Sequence, residues 1–274
     1  MRAKRIVAVM TATTVALAAF VFVPPGVACA DTGDTTTTNE ITTTLDRTDA
    51  RNNGLIADAA ASATDADSAA QTATADLPID PTKGVTLKSP GGQTLTIGLP
   101  NANKSGRGTK TRKGAVAYSG KNGSANAVIP TEDGVQFLTT IKNRKAPTSY
   151  AYPITLPSGG KIEVSPDGTV AAAIDVNGEL IALVPQVYAK DANGRDVSTR
   201  FTTDGRTLTQ VVDHKARGVT YPVVADPWWF FIPAWILRSC GIGFLGGWAG
   251  AWVTDADIWG RFGAGIVGCI FRFF

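Results

Sequence analysis

Between residues 83 and 227 apolar and polar positions follow each other in short stretches at close spacing. Lys161-Ile-Glu-Val-Ser165 alternates residue by residue, the period of a half-buried strand. Comparable stretches are Gln93–Leu99, Ala115–Ser119, Val135–Ile141, Tyr150–Leu156, Thr169–Asp175, Glu179–Tyr188, Thr207–His214 and Val219–Ala225. Turn chemistry separates them: Pro157-Ser-Gly-Gly160, Pro166-Asp-Gly168, Asn177-Gly178, Asn193-Gly194 and Asp204-Gly205. Asn-Gly and Asp-Gly supply the positive φ that two-residue hairpins need. No sustained helical period interrupts the series. The pattern predicts a mainly β domain over residues 83–227, an antiparallel sandwich or meander.

Both ends of the chain depart from this pattern. Arg2, Lys4 and Arg5 open the sequence, and residues 6–23 are almost wholly apolar. Pro24-Pro-Gly26 and Ala28-Cys-Ala30 follow. A basic start, an apolar run and small residues at a cleavage point make a secretory signal peptide over residues 1–30, in preference to a retained anchor. Cleavage after Ala30 removes three of the 26 basic residues and none of the 23 acidic ones, leaving 23 against 23. It also removes one of three cysteines, leaving Cys240 and Cys269 in an oxidising compartment where pairing is expected.

Residues 31–82 form a Thr/Ala/Asp-rich segment. Its first 46 residues contain 12 Thr, 11 Ala and no aromatic, with Ile41, Leu45, Leu55 and Ile56 as the only large aliphatics. So little apolar surface predicts a disordered arm, with a nascent helix at most near Leu55–Ala75.

Residues 228–274 are the opposite. They hold 13 of the 22 aromatics, all six tryptophans and nine glycines. Gly243, Gly246, Gly247 and Gly250 share one helical face, and Gly260, Ala264 and Gly268 repeat every fourth residue. Thr254-Asp-Ala-Asp257 separates the two stretches and resembles a capping box. The pattern predicts a C-terminal helical hairpin packed through small faces. That arrangement sets Cys240 and Cys269 within roughly 3 Å of the same level. Trp228, Trp229, Trp235, Trp248, Trp252 and Trp259 then read as interfacial aromatics. The first helix, residues 239–254, is about 24 Å long against ~30 Å of hydrocarbon, short for a span. Burial of the hairpin on the β domain stands equally open.

Charge sharpens the picture of the arm. Residues 31–82 carry ten acids and two arginines, and residues 83–145 carry eleven bases and two acids. The densest basic run is Lys104, Arg107, Lys110, Arg112 and Lys113, among Gly, Ser and Thr. Lys142, Arg144 and Lys145 form a second basic turn. An acidic arm docked on a basic patch is the expectation, with an acidic cell-wall polymer as a candidate partner for the basic loop. A nucleic-acid partner is not expected at 18% charged residues.

Catalytic candidates are weak. A single histidine, His214, follows Asp213 in a strand-end setting where neighbours face opposite ways, which does not make a triad. Ser158-Gly-Gly-Lys161 lacks the companion motifs of penicillin-binding enzymes. Gly241-Ile-Gly-Phe-Leu-Gly246 matches a dinucleotide fingerprint by letter but has no βαβ context. No enzyme, cofactor or metal is expected.

The run from Tyr150-Ala-Tyr-Pro-Ile-Thr-Leu156 through Asp191-Ala-Asn-Gly194 to Tyr221-Pro-Val-Val-Ala-Asp-Pro227 resembles a β domain of secreted actinobacterial-type proteins. It is similar to the β segments beside YD-repeat and RHS-like surface proteins, over about residues 115–227. The resemblance implies export and an extracellular or surface role, and brings no catalytic residues. The expected protein is secreted and non-enzymatic, its disulfide-closed hairpin contacting a membrane or a partner protein, in the sharpest form a bacteriocin-like tail. The alternatives are a wall-associated structural or binding protein with the hairpin packed on the β domain, and an exported hydrolase.

Overall fold

The computed structural model describes residues 35–52, 55–57, 73–89, 92–111, 114–131, 134–176 and 180–231. They form one helix, α1 (Thr38–Asn52), short 3₁₀ turns and sixteen strands. The first eight strands are β1 (Thr74–Asp76), β2 (Val85–Lys88), β3 (Thr94–Ile97), β4 (Thr109–Lys110), β5 (Val116–Tyr118), β6 (Ser124–Pro130), β7 (Gly134–Ile141) and β8 (Ser149–Thr155). The others are β9 (Lys161–Val164), β10 (Ala171–Ile174), β11 (Leu180–Val184), β12 (Tyr188–Lys190), β13 (Thr199–Thr203), β14 (Thr207–Val212), β15 (Val223–Asp226) and β16 (Trp228–Phe231). The expected mainly β, antiparallel character holds.

The smaller sheet runs β1-β2-β3-β8-β14-β13. The larger runs β4-β5-β6-β7-β16-β11-β10-β9, with β15 also on β7 and β12 on β15. Turn chemistry closes the β13–β14 hairpin as expected: the Asp204 carboxylate accepts from the Arg206 and Thr207 N–H groups, and Gly205 sits at φ +90°. One core draws on both sheets, with Leu87, Ile97 and Tyr152 from the smaller and Phe137, Ile141 and Trp229 from the larger. A second core lies on the opposite face of β5, β6, β7 and β15, where Ala117, Ala127, Leu138 and Val224 meet Ile41 and Leu45 of α1 and Ile56.

Two expectations need correction. Within the segment read as a disordered arm, Thr38–Asn52 is a helix and Thr74–Asp76 a strand. Ile41, Leu45 and Thr48, at i, i+4 and i+7, make one buried stripe. The N-terminus is a capping box: Thr37 N–H donates to Glu40 Oε2 at 2.8 Å, and Glu40 N–H donates to Thr37 Oγ1 at 3.3 Å. The few aliphatics suffice because they are concentrated on one face above a sheet. The second correction is the start of the tail. Trp228–Phe231 is not hairpin but strand, inserted between β7 and β11. A strand buried on both faces reads as a continuous apolar run, so periodicity could not separate it from a helix.

Candidate functional site

The helix-covered face of the larger sheet concentrates the polar chemistry of the fold. At its centre is Gln136 on β7, fully buried. Its Oε1 accepts from the Ala57 N–H at 2.8 Å. Its Nε2 lies 3.0 Å from the Leu55 carbonyl, 3.1 Å from the Tyr188 hydroxyl and 2.9 Å from Asp226 Oδ2. Tyr188 O–H in turn donates to the Leu55 carbonyl at 3.2 Å. Asp49 of α1 accepts from the Ile56 N–H, tying the helix to the same segment. Residues 55–57 are thus latched to the sheet mostly through their backbone.

Burial dominates the electrostatics here. It raises the Asp226 carboxyl to about 8, against the lowering effect of its bonds to Gln136 and Tyr188. The Tyr188 hydroxyl is pushed well above its ordinary value, by burial first and then by Asp226. The Asp226 carboxyl is thus held largely neutral at pH 7, beneath residues 55–57.

Grooves flank α1 on both sides. One, about 500 Å³, is largely apolar and lies over Ala115, Ala117 and Ala127, with Asp46, Asp49 and Lys110 at its rim. The other, about 400 Å³, runs between α1 and the end of β7, where Thr140 and Lys142 lie, with Tyr221 and Pro222 beside them. Lys142 Nζ pairs with Glu40 at 3.0 Å and donates to the Thr35 carbonyl at 2.7 Å. The acidic segment therefore meets the basic side of the domain through the second basic turn.

The remaining sequence candidates are dispersed. Lys104, Arg107 and Lys110 are exposed around the β4 edge, and Arg107 adds to the positive field that helps lower the Asp80 carboxyl behind its bonds to Thr82. Arg112 and Lys113 lie outside the described residues. So do Cys240, Cys269, the glycine ridges (Gly243, Gly246, Gly247, Gly250, Gly260, Ala264 and Gly268), and Trp235, Trp248, Trp252 and Trp259. Trp229 is fully buried in the main core, which removes it from the interfacial aromatics. Trp228 stacks on Phe230 with ring centroids 4.7 Å apart. Among the described residues no helix is long and apolar enough to cross a membrane, and no three His, Cys, Asp or Glu are grouped to hold a metal.

The Tyr-Pro-Val-Val-Ala-Asp-Pro run acquires structural roles residue by residue. Tyr221 O–H donates to the His214 carbonyl at 2.8 Å and lies 2.9 Å from His214 Nδ1, while Nε2 faces the Pro147 carbonyl at 2.9 Å. Burial, followed by the nearby Lys215 and Arg144 charges, lowers the His214 pKa despite the bond to Pro147. Val223 and Ala225 enter the main core, and Asp226 enters the latch. Upstream, the Asp191 carboxylate gathers the Asn193, Arg195 and Thr220 N–H groups and the Arg195 guanidinium, fastening two loops. These contacts position the loops that carry them. Sequence reasoning missed Gln136 and the α1 docking. The findable signal was Thr37-x-x-Glu40 followed by Ile41, Leu45 and Thr48.

No protein-family model, curated protein or solved structure matches the chain.

Proposed function

We propose that this is a secreted, non-enzymatic protein whose β domain carries a hydrophobic C-terminal segment to a membrane or partner surface. The observation that supports this most is the attachment of that segment. Residues 232–274 follow directly from β16, which is hydrogen-bonded on both edges and seats Trp229 in the core. A carrier needs such an anchor, and an aromatic segment with only five charges suits contact with a membrane or partner surface. The reading takes the two sheets as the faces of a sandwich, supported by the core residues both contribute. Export rests on the signal-like first thirty residues and on the resemblance to β segments of surface proteins.

The test is dye leakage from anionic lipid vesicles on addition of the mature chain, residues 31–274, and of a variant ending at Phe231. Leakage or vesicle binding that disappears with the truncation supports the reading. Equal behaviour of the two chains overturns it.

A second reading, a wall-associated binding protein with the segment packed on the domain, is favoured by one observation. Ala172, Leu183 and Phe230 form a row across three strands, on the face opposite the main core. All three are buried, yet they belong to neither core. Protection of residues 232–274 from protease in the absence of lipid separates this reading from the first.

A further inference from the structure

We propose that the polar cleft between α1 and strands β7 and β15 is a saccharide subsite that takes a carboxylate-bearing sugar unit. This goes beyond the tail reading and uses none of its residues. The cleft holds about 400 Å³, within the ~300–1,000 Å³ of ligand pockets. One wall is a flank of α1, where Glu40, Thr43 and Arg47 recur at helical spacing, with Thr36 just before the helix. The other is Thr140 of β7, Lys142 just after that strand, and Tyr221 and Pro222 just before β15.

Three features select a sugar. The first is a pair of buried hydroxyls, Thr36 Oγ1 and Thr140 Oγ1, with no hydrogen-bond partner among the described residues. Thr36 and Thr140 are 1% and 2% exposed, and buried polar groups are ordinarily paired. Both positions are rigid. Thr36 is pinned by a backbone bridge to Gly120, with Thr36 N–H to Gly120 oxygen at 2.8 Å, and Thr140 pairs with Val224 and Ala125 inside the sheet. Fixed hydroxyls that can both donate and accept match the hydroxyls of a sugar ring. The second feature is the apolar face of Tyr221 and Pro222, since a pyranose presents C–H bonds on one side and hydroxyls at its rim. A small inorganic anion could accept from the hydroxyls but would leave the apolar face unused.

The third feature selects the charge. Arg47 and Lys142 stand against Glu40, two cations against one anion, which suits a single carboxylate. Arg47 is exposed at the cleft edge, and its planar fork matches a carboxylate. Lys142 is committed to Glu40 and the Thr35 carbonyl, so it fixes the wall while contributing positive field.

The experiment titrates the full mature chain with trigalacturonate, using saturation-transfer NMR and calorimetry, beside maltotriose and inorganic phosphate. Binding of trigalacturonate, at least fivefold weaker in Arg47→Gln and in Thr140→Val, is the expected result. Thr140→Ser keeps the hydroxyl and should bind within twofold of wild type, which separates loss of the hydroxyl from disturbance of β7. Maltotriose should bind more weakly than trigalacturonate and lose nothing in Arg47→Gln. No transfer to either sugar overturns the proposal. So does phosphate competing as well as the acidic sugar, which makes the cleft a plain anion site, or binding that both cleft variants leave unchanged.

Discussion

Gln136 donates to the Asp226 carboxyl at 2.9 Å across two neighbouring segments separated by ninety residues in sequence. The same side chain accepts from Ala57. A single amide thus joins β7 of the larger sheet to the end of β15 and to the segment that follows α1.

This pair sets a pH dependence. The folded-state pKa of Asp226 is about 8 against 3.8 for an unperturbed aspartate. Between those values the folded chain binds the proton and the unfolded chain does not. The stabilisation is therefore complete below about pH 4 and is lost as pH rises through about 8. Thermal melts from pH 4 to pH 9 should show a decline in Tm of roughly 5 °C or more assignable to this group. Asp226→Asn should flatten that part of the profile, leaving the variant more stable than wild type at pH 9.

Gln136→Ala should loosen α1 more than the sheet. It leaves Ala57 N–H without its acceptor and removes one of two donors to the Leu55 carbonyl, a cost of about 1–3 kcal/mol. Hydrogen exchange is the direct measurement. Amides of residues 35–57 should exchange about tenfold faster or more, with β13 and β14 unchanged. Uniform acceleration across the domain would mean that the latch and the sheet open as one unit.

Gly134 offers a way to disturb the tail anchor selectively. A β-carbon there would collide with the Trp229 carbonyl on the paired strand. Gly134→Val should displace β16 at this end, lower stability by about 1–3 kcal/mol, and expose the chain to limited proteolysis beyond residue 227. Red-shifted tryptophan emission, as Trp229 meets water, would accompany it.

Tyr221→Phe removes one hydroxyl that serves both the His214 carbonyl and the imidazole. Loss of about 1–2 kcal/mol is expected by denaturant unfolding. His214, with its pKa lowered in the folded state, withdraws stability as pH falls below about 6.5, because the unfolded chain then binds the proton more readily. His214→Gln should remove that acid-side loss.

The hairpins of the β domain were legible because their signals are local. Asp204-Gly205 carries its own turn geometry, and the Thr207–His214 pattern delivered β14 almost residue for residue. β6 and β13 were missed, since Ser-Ala-Asn-Ala and Thr-Arg-Phe-Thr-Thr carry too few large apolar groups to stand out. α1 was hidden by composition. Its burial rests on Ile41, Leu45 and Thr48 alone, and the helix gains a core only where the small side chains of Ala117 and Ala127 lie opposite. The Gln136 latch could not be read at all. Its partners Leu55, Ala57, Tyr188 and Asp226 are brought together by strand order, and strand order is long-range.

β15 and β16 run end to end along β7, joined at Pro227, whose carbonyl still accepts from Phe137 N–H at 3.0 Å. β16 is held by β11 on its other edge. The junction is therefore loaded in shear. A pull on the C-terminal segment along the strand must break ladders on two sides together, whereas an edge strand peels one bond at a time. Tension applied at Phe231 along the strand is thereby passed into the core through Trp229.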